Sequence, residues 1–129
     1  MYEYRIKEFA RVVDGDTVDL IIDLGFDILH KTRVRLHGIN APESRTRDLE
    51  EKEKGLKAKE RLKELLGIPF PEPDTEYVLK TRKKGKFGRY LGTIYKDTHD
   101  DHPEGPARKN INITLIEEGH AVEYFGGKR

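Results

Sequence analysis

Alternation of apolar and polar positions marks the first third of the chain. Val18, Leu20 and Ile22 alternate against Asp19 and Asp23, the period-two signature of a half-buried strand. Two strands are expected, over residues 2–13 and 16–24, joined at Asp14-Gly15. That dipeptide is a hairpin signal because Asp tolerates the left-handed region and Gly enters it without steric cost. Gly25 permits a second reversal, and residues 28–39 alternate again, with Ile28, Val34 and Leu36 on one face and Arg33, Arg35 and His37 on the other. After a dense charge run, "GLKAKERLKELLG" sets Leu56, Ala58, Leu62, Leu65 and Leu66 near helical spacing, with Gly67 as the stop. "IPFPEPD" is a proline-rich loop. "EYVLKTR" and "RYLGTIY" read as two further strands around the basic turn "KKGKFG". Residues 97–109 read as an irregular loop, and a short helix runs from Asn112 through Glu118 to a Gly119 cap. No internal repeat is visible.

A three-strand meander, a helix and a two-strand hairpin follow one another in the order of an OB-fold. That is a five-stranded Greek-key barrel, α+β but mainly β, here with two or three short helices. A split two-sheet α+β domain gives a similar pattern, and the pattern by itself leaves both open. At 129 residues the chain is expected to form a single domain, residues 1–129, around a modest core.

Charge changes the picture more through its distribution than its sum. Charged residues make up 38% of the chain against 35% hydrophobic, so the core is small and the surface strongly polar. The net charge of +1 conceals a basic segment, residues 80–96, holding Lys80, Arg82, Lys83, Lys84, Lys86, Arg89 and Lys96 with no acid. The next segment turns acidic with Asp97, Asp100, Asp101 and Glu104. A basic patch inside a balanced total suits an anionic partner met on one side. There is no cysteine, which excludes disulfides and thiolate metal sites. The N-terminus lacks the apolar run of a signal peptide and no stretch reaches membrane-spanning length. A soluble, cytoplasmic monomer is the expectation.

Candidate chemistry begins with Asp16. Equal parity places it on the apolar side of its strand with Val18, Leu20 and Ile22, where a carboxylate needs a cation or hydrogen-bond donors. Arg35 lies near the end of the third strand, "INAPES" follows with Asn40 and Glu43 around a rigid proline, and Arg89 closes "KFGRY". Strand ends on one rim of a barrel would gather these groups into a kit for phosphodiester hydrolysis. Asp16, Asn40 and a backbone carbonyl offer hard oxygen ligands to a divalent cation. Glu43 orients or deprotonates a water, and two arginines fork onto phosphate oxygens. Each has a plainer reading. Asp16 can accept N–H groups of its own turn, Arg35 can be a surface charge, Glu43 a helix cap, Asn40 a turn residue, and Arg89 a ring-stacking cation. His99 and His102, with Asp100 and Asp101 between them, have metal-ligating chemistry but fall in an irregular loop.

"VVDGDTVDL", "VRLHGINAPES", "GLKAKERL", "GKFGRYLG" and "NITLIEEGHA" resemble, in order, the signature segments of the staphylococcal nuclease (thermonuclease) family. The resemblance implies an OB-fold and a calcium-dependent nuclease that cuts DNA and RNA, single- or double-stranded, with little sequence specificity and leaves 3′-phosphate ends. By the same resemblance Asp16 looks like the metal-binding aspartate, with Asn40 and the Ala41 carbonyl beside it as ligands of Ca2+. Arg35 and Arg89 look like the two catalytic arginines and Glu43 like the general base. Lys84, Lys86, Phe87 and Tyr124 would bind substrate, with Phe125 an alternative to Tyr124. Two departures stand out. Asn40 replaces the family's second aspartate, removing one negative charge, and Phe87 replaces a tyrosine, losing a phenolic hydrogen bond while keeping a stacking ring. The rival is a non-catalytic OB-fold nucleic-acid-binding module. A partner-binding barrel that uses the acidic loop 97–104 is a third reading.

Overall fold

A computed structural model describes residues 2–68, 75–84, 90–98 and 107–124. The elements are β1 (Tyr2–Asp14), β2 (Thr17–Asp23), β3 (Leu29–Leu36), β4 (Ile39–Asn40), α1 (Leu49–Leu65), β5 (Thr75–Lys84), β6 (Tyr90–Thr98), β7 (Ala107–Asn110), α2 (Ile111–Glu117) and β8 (Val122–Glu123). Strands β3-β2-β1-β5-β6 lie side by side, and parallel pairing of Val34–Leu36 with Tyr90–Gly92 closes them into a five-stranded mixed barrel. This is the OB-fold architecture. Long β1 serves two neighbours: residues 2–5 pair with β5 and residues 5–14 with β2. Irregularities between Ile6 and Glu8, Phe9 and Arg11, and Val12 and Asp14 bend it between those neighbours. Strand β7 adds to the free side of β6, and β4 pairs separately with β8.

The barrel interior holds Val18, Leu20 and Ile22 from β2, Val34 and Leu36 from β3, Leu79 and Ile94, all buried. Helix α1 closes one side with Ala58, Leu62 and Leu65, and α2 contributes Ile111 and Leu115. Burying one such side chain contributes about 1.5–3 kcal/mol, so alternation along β2 and β3 dominates the fold. Among the described residues no helix is long and apolar enough to cross a membrane.

Five expectations need correction. The helix begins at Leu49, six residues before "GLKAKERL". Asp48 caps it, accepting from the backbone N–H groups of Glu50 (3.0 Å) and Glu51 (3.3 Å), so much of the charge run is helical. Its buried face runs Gly55, Ala58, Leu62, Leu65, which turns Leu56 outward to 44% exposure. Ile28 precedes β3 in the hairpin tip and is exposed rather than core. Of the loop expected over residues 97–109, Asp97 and Thr98 end β6 and residues 107–109 form β7 with Asn110, because the outer edge of β6 offers a hydrogen-bonding partner that local sequence does not reveal. Helix α2 starts at Ile111, with Asn110 as its cap. Gly67 and Gly119 take positive φ (70° and 79°) at the helix ends, as expected.

Candidate active site

The β1–β2 turn is the foundation of the site. Neither Asp14 nor Gly15 has positive φ, so turn conformation is not what requires glycine there. Space is. A Cβ on Gly15 would lie 2.6 Å from the Ala58 Cβ and 3.0 Å from the Ala41 Cβ. The turn is thus pressed between α1 and the segment after β4.

The two aspartates of this turn hold the two ends of that segment. Asp16 is buried; its Oδ2 accepts the Ala41 N–H at 2.9 Å and its Oδ1 accepts the Thr17 hydroxyl at 3.0 Å. Asp14 Oδ1 accepts both the N–H (3.4 Å) and the hydroxyl of Ser44, itself buried. Between these anchors stand Pro42 and exposed Glu43. The Glu43 N–H donates to Glu51 Oε1 at 3.5 Å. Helix α1 packs so closely here that a Cβ on Gly55 would lie 2.4 Å from the Glu43 carbonyl oxygen. Gly in a helix interior costs about 1 kcal/mol against Ala, and this approach explains its presence.

Arg35 comes to the same place from β3, opposite Thr17 on β2 and Leu91 on β6. Its Nη2 donates to Asn40 Oδ1 at 3.3 Å and lies 3.9 Å from Asp16 Oδ2. Its guanidinium sits 5.2 Å from the centre of the Tyr124 ring, within cation–π range. Tyr124 is fixed by its N–H to the Gly38 carbonyl (2.9 Å), next to the β4–β8 pair. One guanidinium therefore meets a carboxylate, a carboxamide and an aromatic ring. His37, just past the end of β3, is half-buried; burial first, then the charges of Arg82 and Arg35, hold its pKa below the ordinary value.

The structure brings together Asp16, Arg35, Asn40, Ala41 and Tyr124, and ties Glu43 to the same loop. Lys84 pairs through its backbone with Tyr90, which also pairs with Val34, next to Arg35. Lys86, Phe87, Arg89, His99, His102 and Phe125 lie outside the described residues. Among the described residues no three His, Cys, Asp or Glu side chains gather as a metal cluster. Asp16 and Asn40, the two oxygen-bearing side chains beside the Arg35 guanidinium, suit a hard cation but carry a single negative charge between them.

Sequence reasoning missed Asp14, Ser44 and Asn112. Asn112 is buried, donates from Nδ2 to the carbonyls of His37 (2.9 Å) and Gly92 (3.1 Å), and accepts from the Ile94 N–H (3.3 Å). It clamps the end of β3 to β6 just beyond Arg35. The signal available for it was weak, a second asparagine between two isoleucines in "NINITLI".

No curated protein matches the chain. A family profile, described as staphylococcal nuclease homologue, matches residues 33–129. The match takes in Arg35, Asn40, Glu43 and Tyr124 but begins after Asp16, which the fold joins to the matched part through Ala41. Domains of this family act on nucleic acids. The chain belongs to the staphylococcal nuclease homologue family.

Proposed function

We propose that this protein, working as one domain over residues 1–129, is a calcium-dependent nuclease that hydrolyses DNA or RNA with little sequence preference and leaves 3′-phosphate ends. The observation that carries the reading is the convergence of the Arg35 guanidinium with Asp16 and Asn40 beneath Tyr124. Arg35 forks onto the phosphate oxygens and stabilises the charge that grows there as water attacks. Glu43 orients that water and takes its proton. Arg89 is the second phosphate-binding arginine in this reading, since the strand it precedes begins beside Val34. Tyr124 and Phe87 flank a base, while Lys84 and Lys86 add salt-sensitive backbone attraction. Asp16, Asn40 and the Ala41 carbonyl would hold calcium, which supplies positive charge beside the phosphate.

The test is hydrolysis of end-labelled single-stranded DNA with calcium and with chelator, beside an Arg89→Ala control. Cutting that needs calcium and is lost in the control supports the proposal. The amide at Asn40, already bonded to Arg35, favours one alternative, a module that binds nucleic acid without cutting it. Salt-sensitive binding with no hydrolysis at millimolar calcium would establish that alternative.

A further inference from the structure

The least ordinary backbone in the described residues lies far from Asp16, at the tip between β2 and β3. Gly25, Phe26 and Asp27 take φ of 83°, 53° and 59° in succession. A bulky residue in the left-handed region is a genuine outlier, and such strain persists where surrounding structure enforces it. Here the enforcement is local: the Gly25 N–H donates to Asp23 Oδ1 (2.8 Å), Leu24 N–H to the Ile28 carbonyl (2.9 Å) and Ile28 N–H to the Gly25 carbonyl (2.9 Å). The result is a Phe26 side chain held 99% exposed, with Leu24, Ile28 and Leu29 around it between 44% and 54% exposed. Exposed apolar patches of this kind mark binding surfaces.

We infer that this tip is a second nucleic-acid contact, where a base of a single strand stacks on Phe26 several nucleotides from the bond being cut. The inference rests on the proposed nuclease reading and deepens it by naming the substrate class as single-stranded and longer than a dinucleotide. Two observations select this occupant, against one ion pair that offsets part of the charge. Arg35, Arg33 and Lys31 share the outward parity of β3, so cations step from the site toward the tip. Arg33 is partly committed to Asp19 through a two-point bond of 2.7 and 3.1 Å, and Arg11 lies opposite Asp19 on β1. From Arg35 to Leu29 the strand covers about 20 Å, within the reach of a strand spanning the roughly 4–16 nucleotides that OB-folds engage.

The tip itself bears Asp23 and Asp27. Those carboxylates disfavour a lipid surface, which would set headgroup charge against them, whereas a flexible single strand can turn its phosphates toward Lys31 and lay the uncharged face of a base on the ring. One fully exposed ring and three half-exposed side chains fall short of the roughly 800 Å² per partner that a stable protein interface buries. A single stacked base needs only one ring. In a duplex the bases are already stacked on one another, so a single strand is the fitting ligand.

The chain contains no tryptophan, so Phe26→Trp installs a lone fluorescent reporter. An end-labelled oligodeoxynucleotide of about 12 nucleotides, within the OB-fold range, is titrated into Phe26→Trp with calcium replaced by chelator. Binding is read from the label and stacking from the indole. Quenching that tracks binding, and is absent with a dinucleotide, supports the inference. In parallel, Phe26→Ala raises KM for the long strand about tenfold, as expected for one lost stacking contact, while Phe26→Trp keeps it low. Binding and cutting that proceed with an unquenched indole overturn the tip contact alone. Quenching that follows protein concentration without nucleic acid overturns it in favour of self-association. No binding or cutting of any oligonucleotide overturns the nuclease reading, and the inference with it.

Discussion

The β2–β3 hairpin has two ends built on opposite principles. At one, Thr17 faces Arg35, and three of the fixing bonds reach far along the chain: Asp16 to Ala41, Asp14 to Ser44, and the Leu36 N–H to the Asp16 carbonyl at 2.8 Å, with Thr17 to Asp16 and Arg35 to Asn40 adding shorter links. At the other, Asp23 faces Leu29, and the bonds that shape the tip span only a few residues. The first end is buried, polar and over-determined by the whole fold. The second is exposed, apolar and self-contained. A phosphoryl reaction needs groups held in place before substrate arrives, and only long-range contacts can supply that. A base-stacking contact needs exposure, which a local turn supplies.

The sharpest break in this contrast comes from Arg35→Ala. Removing a preorganised donor to developing charge lowers kcat by about 10²–10³-fold, measured on a single-stranded oligonucleotide at saturating calcium. Stability falls as well, because the Arg35 side chain is only 16% exposed and its loss removes a bond to Asn40 and a positive charge beside buried Asp16, so turnover is compared at a temperature where both proteins are folded. Arg35→Lys does not rescue, because an ammonium cannot match a planar fork. Activity that survives either substitution would detach the chemistry from this end of the hairpin.

Next in size is Gly55→Ala. Elsewhere in a helix this exchange stabilises by about 1 kcal/mol; here the new methyl strikes the Glu43 carbonyl. The expected outcome is a loss of about 1–3 kcal/mol, typical of overpacking, read by urea denaturation, together with reduced turnover as the Glu43 loop shifts. A stabilised variant with full activity would show that the loop is not held by α1.

These two sites also show what the sequence could and could not disclose. Alternation along β2 and β3, the inward parity of Asp16 and the helix stops at Gly67 and Gly119 follow from local chemistry, and all three are in the fold. The partners of Asp14 and Asp16 lie 30 and 25 residues away, and no periodicity reports such a pairing. Gly55 interrupts a helical pattern and so reads as a helix beginning rather than a close approach. Asp48 with Glu51 three residues on was a legible capping signal, hidden by the charge around it. In the fold the Glu51 carboxylate serves the Glu43 N–H, linking helix start to site. Strand β7 carries no apolar alternation and exists because β6 presents an edge.

Between the two ends lies the Asp19–Arg33 pair, and its effect is smaller. The Arg33 hydrogen bonds hold the Asp19 carboxyl below its ordinary value of 3.8. A depressed carboxylate pKa contributes stability that is present above about pH 4 and is lost as pH falls through the folded-state value. Arg33 is about half exposed, so the contribution is on the order of 0.2–1 kcal/mol. Asp19→Asn should lower stability by that amount at pH 7 and by less at pH 2. Chemical denaturation at both pH values reads the difference. An equal loss at the two would mean that packing, not the ion pair, is what the substitution removes.

The smallest expected effect is a near-null at the far end, and it tests the contrast most directly. The Phe26 ring is almost wholly in solvent, so Phe26→Ala removes no buried area and should leave stability within about 0.5 kcal/mol. Leu20→Ala, at a fully buried position of the same hairpin, should cost about 2–5 kcal/mol. Phe26→Gly goes further. It releases the positive φ that a bulky side chain resists, against the greater freedom that glycine gains in the unfolded chain. If the turn is as self-contained as its hydrogen bonds indicate, Phe26→Gly matches or slightly exceeds the parent in thermal midpoint. A drop of several degrees would mean instead that the ring supports the barrel, and the tip would no longer be an end set apart for contact.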